Sequence, residues 1–187
     1  AALLRILTPT LKFRATRDAR KVCGDALEMR GGIGYIEEFA TARLLRDAHL
    51  GSIWEGTSNV VALDVMRAIR REGALDALRP ALEAMLPTDA IRRACAFADD
   101  VAKKRDDIHA RQAATGLYYA TAAAILASEG SRLAATGDAR RLLLSHLVVK
   151  HRLEPRDPLD RASDDRLAEA LLPETPVSRA QVNQLLN

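Results

Sequence analysis

Two short stretches of this 187-residue sequence hold residue types whose spacing could do chemistry. One is GGIG, residues 31–34, whose glycines would let backbone N–H groups approach an anion. The other is IWEGTSN, residues 53–59, where Glu55 stands between the apolar pair Ile53–Trp54 and Gly56, directly before a helical pattern. Glu55 has two readings. It is a carboxylate favoured by the positive end of the next helix, or a base held half-desolvated between Ile53 and Trp54, its pKa raised. GGIG also has two. It follows a helical pattern rather than a strand, unlike a dinucleotide fingerprint, so a helix C-cap and turn competes with a phosphate cradle. His49, His109, His146 and His151 show no paired spacing, and no metal site is expected. KKRDDIHAR, 103–111, reads as a solvated helix face with i,i+3 or i,i+4 ion pairs.

The elements that must position these residues read as helices. Ala, Leu and Arg dominate, aromatics are only 4%, and no alternating run is sustained, so an all-α fold is expected. Residues 1–29 form one helical stretch, with Leu4, Leu7, Leu11, Ala15, Val22, Ala26 and Met29 recurring at three- and four-residue steps. Pro9 kinks it or starts a new helix, and Gly31-Gly32 stops it. GGIGYIEEF is a loop, and 40–48 a short helix. Thr57 or Ser58 caps the next helix, which runs to about Arg71 with Val60, Leu63, Val65, Met66 and Ile69 largely inward. Glu72-Gly73 is the division between a first region, 1–72, and a second, 73–187. In the second, helices are expected over 74–86, from a cap at Thr88 to about Ile108, over 109–135, and over 139–152 after a break at Gly137-Asp138. A Pro- and Asp-rich loop (LEPRDPLDRASDD) and short helices over 164–172 and 178–186 complete it.

The net charge is +3, from 28 Lys/Arg against 25 Asp/Glu, a balance that permits anionic partners without demanding nucleic acid. Cys23 and Cys95 are far apart with no CxxC spacing; buried free thiols and a cytoplasmic location are expected. No apolar run approaches a membrane span. The opening AALLRILTPT begins inside a helix, as an excised piece of a longer protein would.

Taken together, the parts resemble the C-terminal helical domain of acyl-CoA dehydrogenases over about residues 1–72. The order is specific: a long helix, an (E/Q)xxGGxGY loop, a short helix ending RDA, then (Y/W)EGT leading into a helix. ALEMRGGIGY, SIWEGTSN and LDVMRAI are similar to the AidB-like branch, as is the further helical segment. The resemblance implies a helical bundle followed by an additional helical region, in an FAD flavoprotein that dehydrogenates an acyl-CoA at its α,β carbons. By position it implies Glu55 as the base that removes the α-proton, with hydride passing to flavin. Trp54 would line the acyl pocket and Gly56 would touch substrate. Thr57, Ser58 and Asn59 would reach the flavin. Glu28, Met29, Arg30, Gly31 and Gly32 would contact FAD across a subunit interface, in a homo-oligomer (dimer or tetramer) whose electron acceptor the sequence does not name. Most members carry glutamine where Glu28 stands.

The alternative is an AidB-like DNA-binding, alkylation-response protein with little dehydrogenase role. Residues 88–187 hold 15 Lys/Arg against 14 Asp/Glu, a near-balance with one local stripe around Arg140, Arg141, Lys150 and Arg152. A third reading, an oligomerisation and cofactor-completing module, is compatible with the first. The isolated chain is expected to be colourless and inactive.

Overall fold

The computed structural model describes residues 1–155, 159 and 164–186, and among these it contains helices and no strand. The helices are α1 (Ala2–Met29), α2 (Gly32–Tyr35), α3 (Ala40–Leu50), α4 (Ser58–Glu72), α5 (Ala74–Met85), α6 (Asp89–Lys104), α7 (Ala110–Leu133), α8 (Arg140–Val148), α9 (Asp165–Leu171) and α10 (Arg179–Leu186). A 3₁₀ turn, Ala134–Thr136, and a π turn, Val149–Leu153, flank α8. The chain divides into two compact units, Ala1–Ala77 with Ala98–Tyr118 and Leu78–Phe97 with Tyr119–Asn187.

In the first unit, α1 packs on α3 and α4. It continues through Pro9, so no new helix begins there. Its inner side is Ile6, Pro9, Thr10 and Phe13, while the Leu4, Leu11, Val22 and Met29 positions lie exposed. The Thr10 hydroxyl donates to the Ile6 carbonyl at 2.7 Å, which satisfies the one polar group on that inner side. The buried face of α4 is Val61, Ala62, Val65, Met66, Ala68 and Ile69. Val65, Met66 and Ile69 are inward as expected; Leu63 is half-buried, and Val60 is 57% exposed. The helix phase explains the difference: with 61/62, 65/66 and 68/69 inward, position 60 turns away.

An ion-pair fork ties α1 to α4. Arg5 donates to both Asp64 oxygens at 3.0 Å and, through Nε, to Glu72 at 2.8 Å. The paired geometry suits the planar guanidinium, and the Arg5 hydrogen bonds hold the Asp64 carboxyl below its ordinary range. α4 ends at Gly73, left-handed at φ 60°, whose N–H donates to the carbonyls of Ala68 and Ile69. The first-unit stretch of α7 buries Ala110, Ala113, Ala114 and Leu117, a helical stripe of mostly small side chains.

α6 stops at Lys104 rather than near Ile108, because Arg105 is left-handed at φ 56° and the Asp106 N–H turns back to the Val101 carbonyl. KKRDDIHAR therefore spans a helix end, a turn and a helix start. Its short-range pairs do form: Lys103–Asp99, Lys104–Asp100 and His109–Asp106.

In the second unit, Ala139, Leu143, Leu167, Val177 and Val182 form a buried cluster that joins the ends of α8, α9 and α10. Gly137, at φ 97°, and Asp138 make the expected break. Asp138 accepts from the Arg140 N–H at 3.1 Å, the Arg140 guanidinium at 2.8 Å and the Val177 N–H at 3.4 Å. Those bonds, Arg140's foremost, pull its carboxyl down from the ordinary 3.8 to about 2. α8 is shorter than the expected 139–152 helix and passes into the π turn at Val149. Much of the expected 153–165 loop, 156–158 and 160–163, lies outside the described residues. Both cysteines are free; Cys95 is buried as expected, but Cys23 is only half-buried. No described helix is long and apolar enough to cross a membrane.

Candidate active site

α3 ends at Leu50, and the chain must reverse before α4 begins at Ser58. The N–H groups of Ser52, Ile53 and Trp54 donate back to the carbonyls of His49, Leu50 and Leu50 at 3.1, 3.0 and 3.1 Å. Two positive-φ residues then complete the reversal, Glu55 at φ 56° and Gly56 at φ 107°. Gly56 is required on two counts. Its φ disfavours any side chain, and a Cβ there would stand 3.0 Å from Val60 Cγ1 and 3.3 Å from Val60 Cβ. Glu55 has no such excuse: a non-glycine residue in this region is strained by about 1–2 kcal/mol.

That strained turn puts Glu55 on the wall of a cavity of about 620 Å³, lined also by Leu4, Thr8, Lys12, Val60 and Arg67. The apolar walls come from α1 and α4. Ile53 and Trp54 do not enclose the carboxylate within this chain, since they are 59% and 64% exposed. The dry pocket expected between them needs walls that these residues do not supply here. Lys12 reaches across from α1 and donates to the carbonyls of Trp54 and, at 3.1 Å, Gly56.

Thr57 is the N-cap of α4, in an extended conformation (φ −67°, ψ 168°), but its hydroxyl makes no capping bond. The first-turn N–H groups at Ser58 and Asn59 are thus not taken by a side-chain cap, contrary to the expected Thr57 or Ser58 bond. Such a helix start is a natural donor set for an electron-rich ligand. It lies directly beside Glu55.

The other stretch folds as a helix stop. The Gly31 N–H donates to the Glu28 carbonyl at 3.0 Å, the Arg30 N–H to Leu27, and Gly31 takes φ 58°. Gly34 is the close-approach glycine: a Cβ there would sit 2.2 Å from the Leu27 carbonyl oxygen. Residues 32–35 wind into one helical turn where the sequence suggested only loop. Glu28, Met29, Arg30, Gly31 and Gly32 are all exposed. Lys12, which touches the Glu55 turn, and Glu28 are separated by roughly 24 Å along α1 at 1.5 Å per residue. One copy of the chain does not bring the two stretches onto one small ligand.

Lys12 is the residue of this site that sequence reasoning missed. A lysine on a long helix, more than forty residues from the turn it holds, leaves no local spacing signal. The basic stripe is also resolved. Arg140 pairs with Asp138, Arg141 with Glu129, and Lys150 with Asp164 at 2.5 Å; Arg152 lies over the Tyr119 ring, 5.4 Å from its centroid. No group of three or more His, Cys, Asp or Glu side chains placed to hold a metal ion occurs among the described residues.

Residues 2–70 match the family model described as acyl-CoA dehydrogenase, C-terminal domain. The chain is 41% identical over 87 residues to acyl-CoA dehydrogenase family member 11 of Caenorhabditis elegans, covering 46% of this chain. It is 40% identical over 78 residues to the putative acyl-CoA dehydrogenase AidB of Escherichia coli, covering 41% of this chain. Each match spans 14% of the relative's own length. Among solved structures it is similar to one named Bd2924 apo-form, with a TM-score of 0.59 and 33% identity, over 68% of this chain and 25% of that one.

Proposed function

Residues 2–70 belong to the acyl-CoA dehydrogenase C-terminal domain family, and on that premise we propose that the chain is the C-terminal part of an FAD-dependent acyl-CoA dehydrogenase. Its reaction is α,β-dehydrogenation of an acyl-CoA thioester, and Glu55 is the base. The observation that carries this reading is the Glu55–Gly56 turn, which holds a carboxylate in a strained backbone on the wall of a cavity, directly before an uncapped helix start.

Each residue has a physical role. Glu55 accepts the α-proton, for which a positioned carboxylate is suited once the site is closed to water. Its own backbone N–H is a donor for the thioester oxygen, where negative charge develops. Gly56 lets the acyl chain lie against bare backbone, and Trp54 presents an apolar ring to it. Thr57, Ser58 and Asn59 hold the flavin edge. FAD, when bound, supplies the acceptor for the hydride that leaves the β-carbon.

Glu28 to Gly32 serve a second copy's FAD rather than this copy's, which makes the protein a homo-oligomer. Their exposure and their distance from the Glu55 turn along α1 support that assignment. Arg30, exposed on the same loop, offsets the Glu28 carboxylate near a pyrophosphate. The free thiols accord with a cytoplasmic location. The chain alone is colourless and inactive.

The test is anaerobic mixing of the full-length protein with a panel of acyl-CoAs while flavin absorbance is followed. Bleaching by at least one member supports the reading. No bleaching by any member, or a yellow and active preparation of the isolated chain, contradicts it.

A further inference from the structure

We infer that Lys12 is a positioning residue for Glu55: its ammonium pins the peptide carbonyls on either side of Glu55 and so fixes where the carboxylate stands. This rests on Glu55 being the base. Lys12 Nζ donates to the carbonyl of Trp54, the residue before Glu55, and at 3.1 Å to that of Gly56, the residue after it. The two backbone angles between those carbonyls, φ 56° and φ 107°, are the ones L-residues avoid. The Ile53 and Trp54 N–H groups tie the start of the turn to Leu50, but past Trp54 Thr57 contributes no capping bond, and the Ile53 and Trp54 side chains are exposed. A charged donor shared by two carbonyls supplies the missing restraint, since charge-assisted hydrogen bonds are the stronger kind.

The lysine itself stands on a fixed base. It follows the buried side of α1 at Thr10 and precedes Phe13, and the Thr16 hydroxyl donates to its carbonyl at 2.8 Å. Lys12 and Glu55 line the same cavity, so loosening this clamp moves the carboxylate against whatever the cavity holds. A displacement of about 1 Å in a reacting group costs on the order of a hundredfold in rate.

The experiment uses the full-length flavoprotein with Lys12→Met, Lys12→Arg and, as a control on the same helix, Lys21→Met. Amide exchange is measured over 52–60 and over 61–72, and kcat and KM are measured with an acyl-CoA that bleaches the wild type. Lys12→Met is expected to speed exchange over 52–60 by about tenfold or more and leave 61–72 protected. Its kcat falls by about ten- to a hundredfold with KM nearly unchanged. Lys12→Arg, which keeps the charged donor, restores much of both, and Lys21→Met matches the wild type. Unchanged exchange over 52–60 overturns the inference whatever the activity. So does loosening that spreads through 61–72, or faster exchange with kcat intact. If no acyl-CoA bleaches the wild type, the dehydrogenase reading has failed and so has a catalytic role for the clamp, while the exchange data still decide whether the clamp exists.

Discussion

The two ends of the chain handle their surfaces in opposite ways. Between Ala1 and Glu72, apolar side chains are left open: Leu4, Leu11, Ile53, Trp54 and Val60 are all exposed, and the first turn of α4 has no side-chain cap. From Ala139 to Val182, the side chains of Ala139, Leu143, Leu167, Val177 and Val182 close on one another, while Leu159 and Leu172 stay exposed, and the basic residues Arg140, Arg141 and Lys150 find acidic partners. Apolar side chains and helix-end donors left in the open mark a surface made for ligands or partners. Internal neutralisation marks a region occupied with its own stability. On the proposed reading the chemistry falls in the first region, which holds the Glu55 turn and its cavity.

That contrast can be broken. Leu143 is fully buried in the second unit, so Leu143→Ala should cost about 2–5 kcal/mol of stability. Flavin bleaching in the full-length protein should survive it below the melting transition. Denaturant unfolding beside single-turnover bleaching checks both, and a selective loss of bleaching would bring the second region into the site. Gly56→Ala should show the reverse pattern. The new Cβ meets Val60 and the backbone is held at φ 107°; a loss of about 1–3 kcal/mol is expected, with bleaching reduced more than the melting temperature suggests.

A subtler effect belongs to Asp138. Its carboxyl is lowered from 3.8 to about 2 by Arg140 and the nearby N–H groups. The stability it contributes is therefore complete above its ordinary range and is lost as pH falls from about 4 toward 2. Asp138→Asn should flatten that acid limb and leave stability near neutrality less affected by pH, which urea unfolding at stepped pH would show. The smallest effect expected is none at all: a stripe whose cations are already engaged should not retain the full-length protein on duplex DNA at low salt. Salt-dependent retention would restore the nucleic-acid alternative.

Much of this was legible beforehand, for identifiable reasons. Periodicity and glycine punctuation located every long helix of the first region, because Gly31 and Gly73 each stand where the backbone turns left-handed. The order of GGIGY and WEGT pointed to the family. What was not legible depends on three dimensions. Val60 sits at a plausible inward spacing, yet the phase of α4 turns it out. The apolar residues beside Glu55 suggested shielding, but a neighbour in sequence is not a wall in space. Arg105 ended α6 without any glycine or proline to announce it. Lys12 acts over a separation that no window spans.

The claim that Glu55 removes the α-proton is tested most directly by hydrogen exchange at carbon. The full-length protein and its Glu55→Gln variant would be incubated anaerobically in heavy water with the acyl-CoA that best bleaches the wild type. Recovered acyl-CoA would then be assayed for deuterium at the α-carbon. The wild type should incorporate it, and the variant should do so about 10²–10⁴-fold more slowly. Equal incorporation by the two proteins would mean that another residue is the base.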